Sequence, residues 1–145
     1  NHVVGGSQRF GEAVRTGVRP ATDHLDFSDN PLATFDAGVA AALDAFGDPD
    51  AADKTVKMPA GEIPVAVYLN MAATDMFVHA WDLAKATGQD TNLDPELATQ
   101  LMDAARQLLD GKPRGGPNDQ FDAAVEVPET AHPAEKLVAF LGRQP

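Results

Sequence analysis

Apolar residues recur at steps of three and four in five stretches of the chain, and most of these stretches are bracketed by helix start or stop signals. Val3, Phe10 and Val14 mark the first, which reads as the tail of a helix over residues 1–16 stopped by Gly17. Asp29-Asn30-Pro31 opens the second with a capping side chain and a proline at the first helical position, and Leu32, Phe35, Val39, Leu43 and Phe46 follow as a core stripe up to Gly47. The third and longest starts with Pro64 in its first turn, runs through Lys85 and ends near Gly88. Asp94-Pro95-Glu96 opens the fourth, with Leu97, Leu101, Ala104 and Leu108 as its stripe and Gly111 as its stop. Pro133 opens a closing helix that places Ala134, Leu137, Val138 and Leu141 on one face.

Between the first two helices, residues 18–30 show no period and read as a loop that leaves His24 solvated. Residues 54–65 alternate around Pro59-Ala60-Gly61, which predicts a short hairpin or an extended crossover. Residues 112–120 read as an exposed loop carrying a solvated Arg114, 121–127 as extended, and His132 as a capping or surface residue. Helices dominate and no βαβ alternation is present, so the predicted architecture is an all-α helix bundle, four-helix with a long crossover, in a single domain over residues 1–145.

The long central helix carries polar groups that its apolar pattern does not require. Asp75 and His79 are four apart and so lie one turn above each other, and Asp82 follows on the same stripe. A carboxylate and an imidazole at this spacing can supply two ligands to a divalent metal, with a third from elsewhere in the chain. The same pair is also an ordinary helix-stabilising contact worth a few tenths of a kcal/mol. Met76, Phe77, Val78, Ala80, Trp81 and Leu83 leave little of this helix looking solvated. An ionisable pair on such a segment therefore needs a partner to offset its desolvation.

Composition narrows the chemistry further. The chain has 145 residues, enough for one buried core, and 22 acidic against 11 basic residues give a formal net charge of −11, which repels nucleic acid and anionic membrane surfaces. It contains no cysteine, so thiolate catalysis, disulfides and Cys-type zinc sites are excluded and any reactive thiol must arrive with a substrate. No apolar run approaches the length of a membrane span and no signal segment opens the chain, so a cytoplasmic protein is the expectation. The chain opens at Asn1 inside a helical pattern, from which we expect a preceding segment of the first helix and, with an apolar face then uncovered, a homodimer.

Three strings carry a family resemblance: His2-Val3-Val4-Gly5-Gly6 near the start, Thr74-Asp75-Met76-Phe77-Val78-His79-Ala80-Trp81-Asp82-Leu83-Ala84 in the centre, and Phe140-Leu141-Gly142-Arg143-Gln144-Pro145 at the end. Together they resemble the DinB/YfiT-like superfamily of metal-binding four-helix bundles, in its actinobacterial branch related to mycothiol-dependent maleylpyruvate isomerase. The resemblance spans nearly the whole chain, and its central string is the specific part. It implies a divalent metal, zinc or nickel, held by His2, Asp75 and His79, with Asp82 behind the ligands orienting one of them. Many relatives carry Glu or His where this chain has the shorter Asp75.

Three ligands leave open coordination positions, the mark of catalysis rather than of structure. The resemblance therefore implies a metal-dependent S-transferase or isomerase acting on a low-molecular-weight thiol such as mycothiol and an electrophile. A non-catalytic metal-binding or stress-related interaction domain is the alternative, and a metal-free polar network of His2, Asp75 and His79 is the third reading. An acid, base or arginine facing the open position would separate the first two; Arg114 and Arg143 are the candidates.

Overall fold

The structure, a computed structural model, describes residues 2–20, 30–117, 119 and 121–145. It is mostly helical with one two-stranded sheet: α1 (His2–Thr16), α2 (Pro31–Gly47), β1 (Thr55–Met58), β2 (Gly61–Pro64), α3 (Val65–Thr87), α4 (Pro95–Leu109) and α5 (Pro133–Phe140). Two compact units divide the chain, Asn1–Met76 and Phe77–Pro145. The boundary falls inside α3, a continuous helix of 23 residues, roughly 34 Å long. No described helix is long and apolar enough to cross a membrane.

In the first unit α1 ends where the sequence predicts. Gly17 takes a left-handed φ of 73° and its N–H closes on the Ala13 carbonyl at 2.8 Å. The Asn30 side chain caps α2 by accepting from the Ala33 N–H at 3.1 Å, while His24 and Asp29 lie outside the described residues. The predicted α2 stripe needs correction. Leu32 and Leu43 are 69% and 70% exposed, Phe35, Val39 and Phe46 are half-buried, and the fully buried positions of α2 are Gly38 and Ala45.

The reason is how closely α1 and α2 approach. A Cβ at Gly11 would stand 2.9 Å from both the Ala41 carbonyl oxygen and the Ala42 Cα, and one at Gly38 would stand 3.3 Å from the Gln8 backbone nitrogen. The two helices meet through backbone surfaces rather than through large side chains, so the buried face of α2 is marked by its smallest residues.

Of the two alternatives, a hairpin or an extended crossover, the hairpin forms, with Thr55 opposite Pro64 and Met58 opposite Gly61. Two details differ. Pro64 closes β2 instead of opening the helix, its fixed φ fitting an edge strand equally well. Val18, predicted in a loop, forms a parallel bridge to Lys57, held by Lys57 N–H to the Gly17 carbonyl at 2.8 Å and Arg19 N–H to the Lys57 carbonyl at 3.0 Å. A 3-10 turn over Pro49–Asp53 leads into β1. Asp48 caps that turn, and the Asp50 N–H together with the Lys54 ammonium holds its carboxyl below the usual carboxylate range.

The core of this unit joins Ala13, Val14, Ala45, Ala51, Val56, Val65 and Tyr68. The Tyr68 ring sits between Phe10 and Phe46, with centroids 5.3 Å and 6.4 Å away, and burial pushes its phenol up from the usual value.

In the second unit Asp94 caps α4 through Oδ1, which accepts from the N–H groups of Glu96 and Leu97. The buried stripe of α4 is Ala98, Leu101, Met102 and Ala105, one position round from the predicted one, with Leu97 at its margin. α5 buries Ala134, Leu137, Val138 and, just past its end, Leu141, as the pattern predicts. At its start His132 N–H donates to Glu135 Oε2.

Residues 121–127 form no strand; Val125 N–H instead donates to the Ala139 carbonyl at 2.9 Å. Arg114 is also not solvated. It donates to the Phe140 carbonyl and to the Asp122 carbonyl, and its guanidinium lies 4.5 Å from the Phe140 ring centroid, so it ties the loop to α5.

Two glycine substitutions test the packing of α1 on α2. Gly11→Ala should destabilise the protein by about 1–3 kcal/mol through overpacking against backbone that cannot give way. Gly47→Ala, where a Cβ meets nothing within 4 Å, should be neutral or stabilising by up to about 1 kcal/mol. Urea unfolding of both variants checks the opposite signs.

Candidate metal centre

The site is built on α3, whose apolar residues commit it to the protein interior and carry Asp75, His79 and Asp82 with them. Phe77, Val78 and Trp81 are buried, and the three polar side chains are half-buried on the intervening stripe. α1 brings His2 to Asp75, with Nε2 3.5 Å from Oδ1. Just ahead of that contact the Ser7 hydroxyl on α1 donates to the Met76 sulfur at 3.4 Å, which holds the two helices in register. Gly6 keeps the space open: a Cβ there would stand 3.5 Å from Asp75 Oδ2 and 4.0 Å from Arg9 Nη2, so a methyl fits and a longer side chain would enter the site.

His2, Asp75 and His79, the three predicted ligands, each offer one donor atom, and the three atoms lie within 4.8 Å of one another. Asp75 and His79 owe this to one turn of a single helix. Two imidazoles and a carboxylate are side chains that can ligate a divalent metal. Tetrahedral ligands at about 2.1 Å from an ion stand about 3.4 Å apart.

Asp82, predicted behind the ligands, lies beside His79. Its Oδ2 faces His79 Nδ1 at 3.5 Å, and the same carboxylate receives Arg143 Nε at 3.4 Å and Nη2 at 3.2 Å. Arg143 comes from the stretch just after α5, so the end of the chain braces the carboxylate that faces His79. Lys85, one turn beyond Trp81, donates to the Gln144 carbonyl at 2.6 Å and lies 5.0 Å from the indole centroid, which anchors the same terminal stretch.

Of the two arginines considered from sequence, Arg143 joins the site residues and Arg114 does not. A third arginine, Arg9, reaches the site as well. Arg9 Nη2 lies 3.2 Å from His2 Nδ1. The signal was present in the spacing: His2 and Arg9 are seven apart, two turns along the same helix face.

Two proteins of Mycobacterium tuberculosis resemble the chain over nearly its whole length: the uncharacterized protein Rv0738 of strain ATCC 25618 / H37Rv and the uncharacterized protein MT0763 of strain CDC 1551 / Oshkosh. Each is 40% identical over 142 residues, which cover 98% of this chain and 75% of the relative. No family profile and no solved structure matches the chain.

The Asp82–Arg143 pair is partly exposed, so its direct contribution to stability should be modest. A double-mutant cycle on Asp82→Ala and Arg143→Ala should return a coupling of about 0.5–1 kcal/mol, falling as salt is raised. Coupling near zero at low salt would mean that the pair does not hold in solution.

Proposed function

The chain belongs to the family of these two mycobacterial proteins, and for it we propose, from its own residues, that it holds a divalent metal through His2, Asp75 and His79 and acts there on a low-molecular-weight thiol. The observation that carries the reading is the convergence of three donor atoms, two imidazole and one carboxylate, from two separate helices. Further support comes from Asp82, a carboxylate at the far nitrogen of a ligand histidine being the usual companion of a metal site.

The order of elements, with a histidine on α1 and the acid and histidine one turn apart on α3, agrees with a DinB/YfiT-type four-helix bundle. On this reading the short hairpin lies in the crossover between its second and third helices.

Three protein ligands leave coordination positions for a substrate. With no cysteine in the chain, a sulfur nucleophile has to come from outside, and mycothiol or a thiol like it is the cosubstrate we propose. A free thiol of pKa near 8.5 is only about 3% ionised at pH 7. A zinc or nickel ion held by His2, Asp75 and His79 would supply a Lewis acid that lowers the pKa of such a thiol, the chemistry that S-transfer to, or isomerisation of, an electrophile needs. The protein's part is positional: Asp75 supplies the ligand charge, Asp82 fixes the plane of the His79 ring, and Arg143 fixes Asp82.

Elemental analysis and titration should find about one divalent ion per chain. His79→Ala should abolish high-affinity binding with the helical circular dichroism unchanged, because the helices carry apolar cores of their own. Metal content unaffected by that substitution would sink the ligand assignment.

The reaction is tested by incubating the zinc- or nickel-loaded protein with mycothiol and an electrophile such as a chlorinated bimane or an activated maleyl compound. Adduct formation should depend on metal, be lost in Asp75→Ala and His79→Ala, and fall about 10- to 100-fold in Asp82→Asn. A protein that binds metal but leaves every thiol unactivated would instead be the non-catalytic metal-binding domain.

A further inference from the structure

The two histidines of the centre are held by partners of opposite character. His79 presents Nδ1 to a carboxylate, Asp82 Oδ2 at 3.5 Å, which favours a proton on Nδ1 and a lone pair on Nε2. His2 presents Nδ1 to Arg9 Nη2 at 3.2 Å. A guanidinium has five N–H donors and no acceptor, so the His2 nitrogen facing it has to offer a lone pair. The proton of the neutral ring then sits on Nε2, and Nε2 is the atom 3.5 Å from Asp75 Oδ1. The partner of His79 thus favours a lone pair on Nε2, whereas the partner of His2 puts the proton on Nε2, the nitrogen that faces Asp75.

We propose that Arg9 is a latch on the metal centre: its guanidinium holds His2 in the Nε2–H tautomer against Asp75, and a cation gains His2 as a ligand only by displacing Arg9. This inference rests on the metal-centre reading for its consequence but not for its geometry. In the metal-free protein Arg9 and the Nε2–H of His2 stabilise the array that a cation would otherwise hold. When a cation binds, the proton moves from Nε2 to Nδ1 through solvent, the ring keeps its net charge, and the guanidinium has to leave Nδ1. Arg9 opposes binding twice, through the tautomer it selects and through its own positive charge beside the site. His2 is half-exposed, so solvent can carry the proton and the side chain has room to turn.

The measurement is the ring nitrogen spectrum of ¹⁵N-labelled histidines in the metal-free protein, with His2 assigned from a His2→Gln variant. Wild type should show His2 as the Nε2–H tautomer, Arg9→Lys should retain part of that bias by keeping a donor, and Arg9→Met should relax it toward a mixture. Zinc titration by competition with a chromophoric chelator should find Arg9→Met about five- to tenfold tighter than wild type, with Arg9→Lys between them.

A wild-type His2 found with its proton on Nδ1, or a tautomer unmoved in Arg9→Met, would overturn the latch. So would a shifted tautomer with zinc affinity equal to or weaker than that of wild type. Zinc bound by none of the three proteins would refute the metal centre itself, and the nitrogen spectrum would still decide, on its own, whether Arg9 selects the tautomer.

Discussion

Asp75, His79 and Asp82 sit half-buried on a mostly apolar helix, and groups from elsewhere in the chain come to meet them. Desolvating an unpartnered carboxylate or imidazole costs more than a single surface contact returns, so a helix like α3 is stable only where such partners are delivered. α1 delivers His2 to Asp75, and the chain beyond α5 delivers Arg143 to Asp82. The contacts between Ser7 and Met76, and between Lys85 and the Gln144 carbonyl, fix these deliveries in register.

That constraint explains what the sequence made legible. Caps and stops were readable because each is a local event: Asn30 and Asp94 accept from their own first turns, and Gly17 and Gly88 take the left-handed backbone that ends a helix. The pair one turn apart on α3 was readable for the same reason, and Asp82 with it. Features depending on distant approach were not. Hydrophobicity points to the large residues of α2 as its core face, but the backbones meet at Gly11 and Gly38, and Leu32 and Leu43 stand exposed.

Arg114 looked like a loop charge because nothing in its own neighbourhood announces the Phe140 carbonyl and ring that it holds. Arg9 is a different kind of miss. Its spacing from His2 was as plain as that of Asp75 from His79, but a histidine read as a future ligand invites a search for fellow ligands, not for a donor that competes with the ion. The nitrogen opposite the coordinating one identifies such a residue, and only a structure shows what lies there.

The chain has a single tyrosine and a single tryptophan, and folding sets both on α3 but in different units. Tyr68 is enclosed in the core of the first unit, and Trp81, in the second, is buried. Each unit therefore contains its own native chromophore, and phenol absorbance and indole fluorescence separate them without a label or a substitution. Followed through one denaturation, the two signals show whether a helix shared by two cores makes them melt as one cooperative body or lets one loosen ahead of the other.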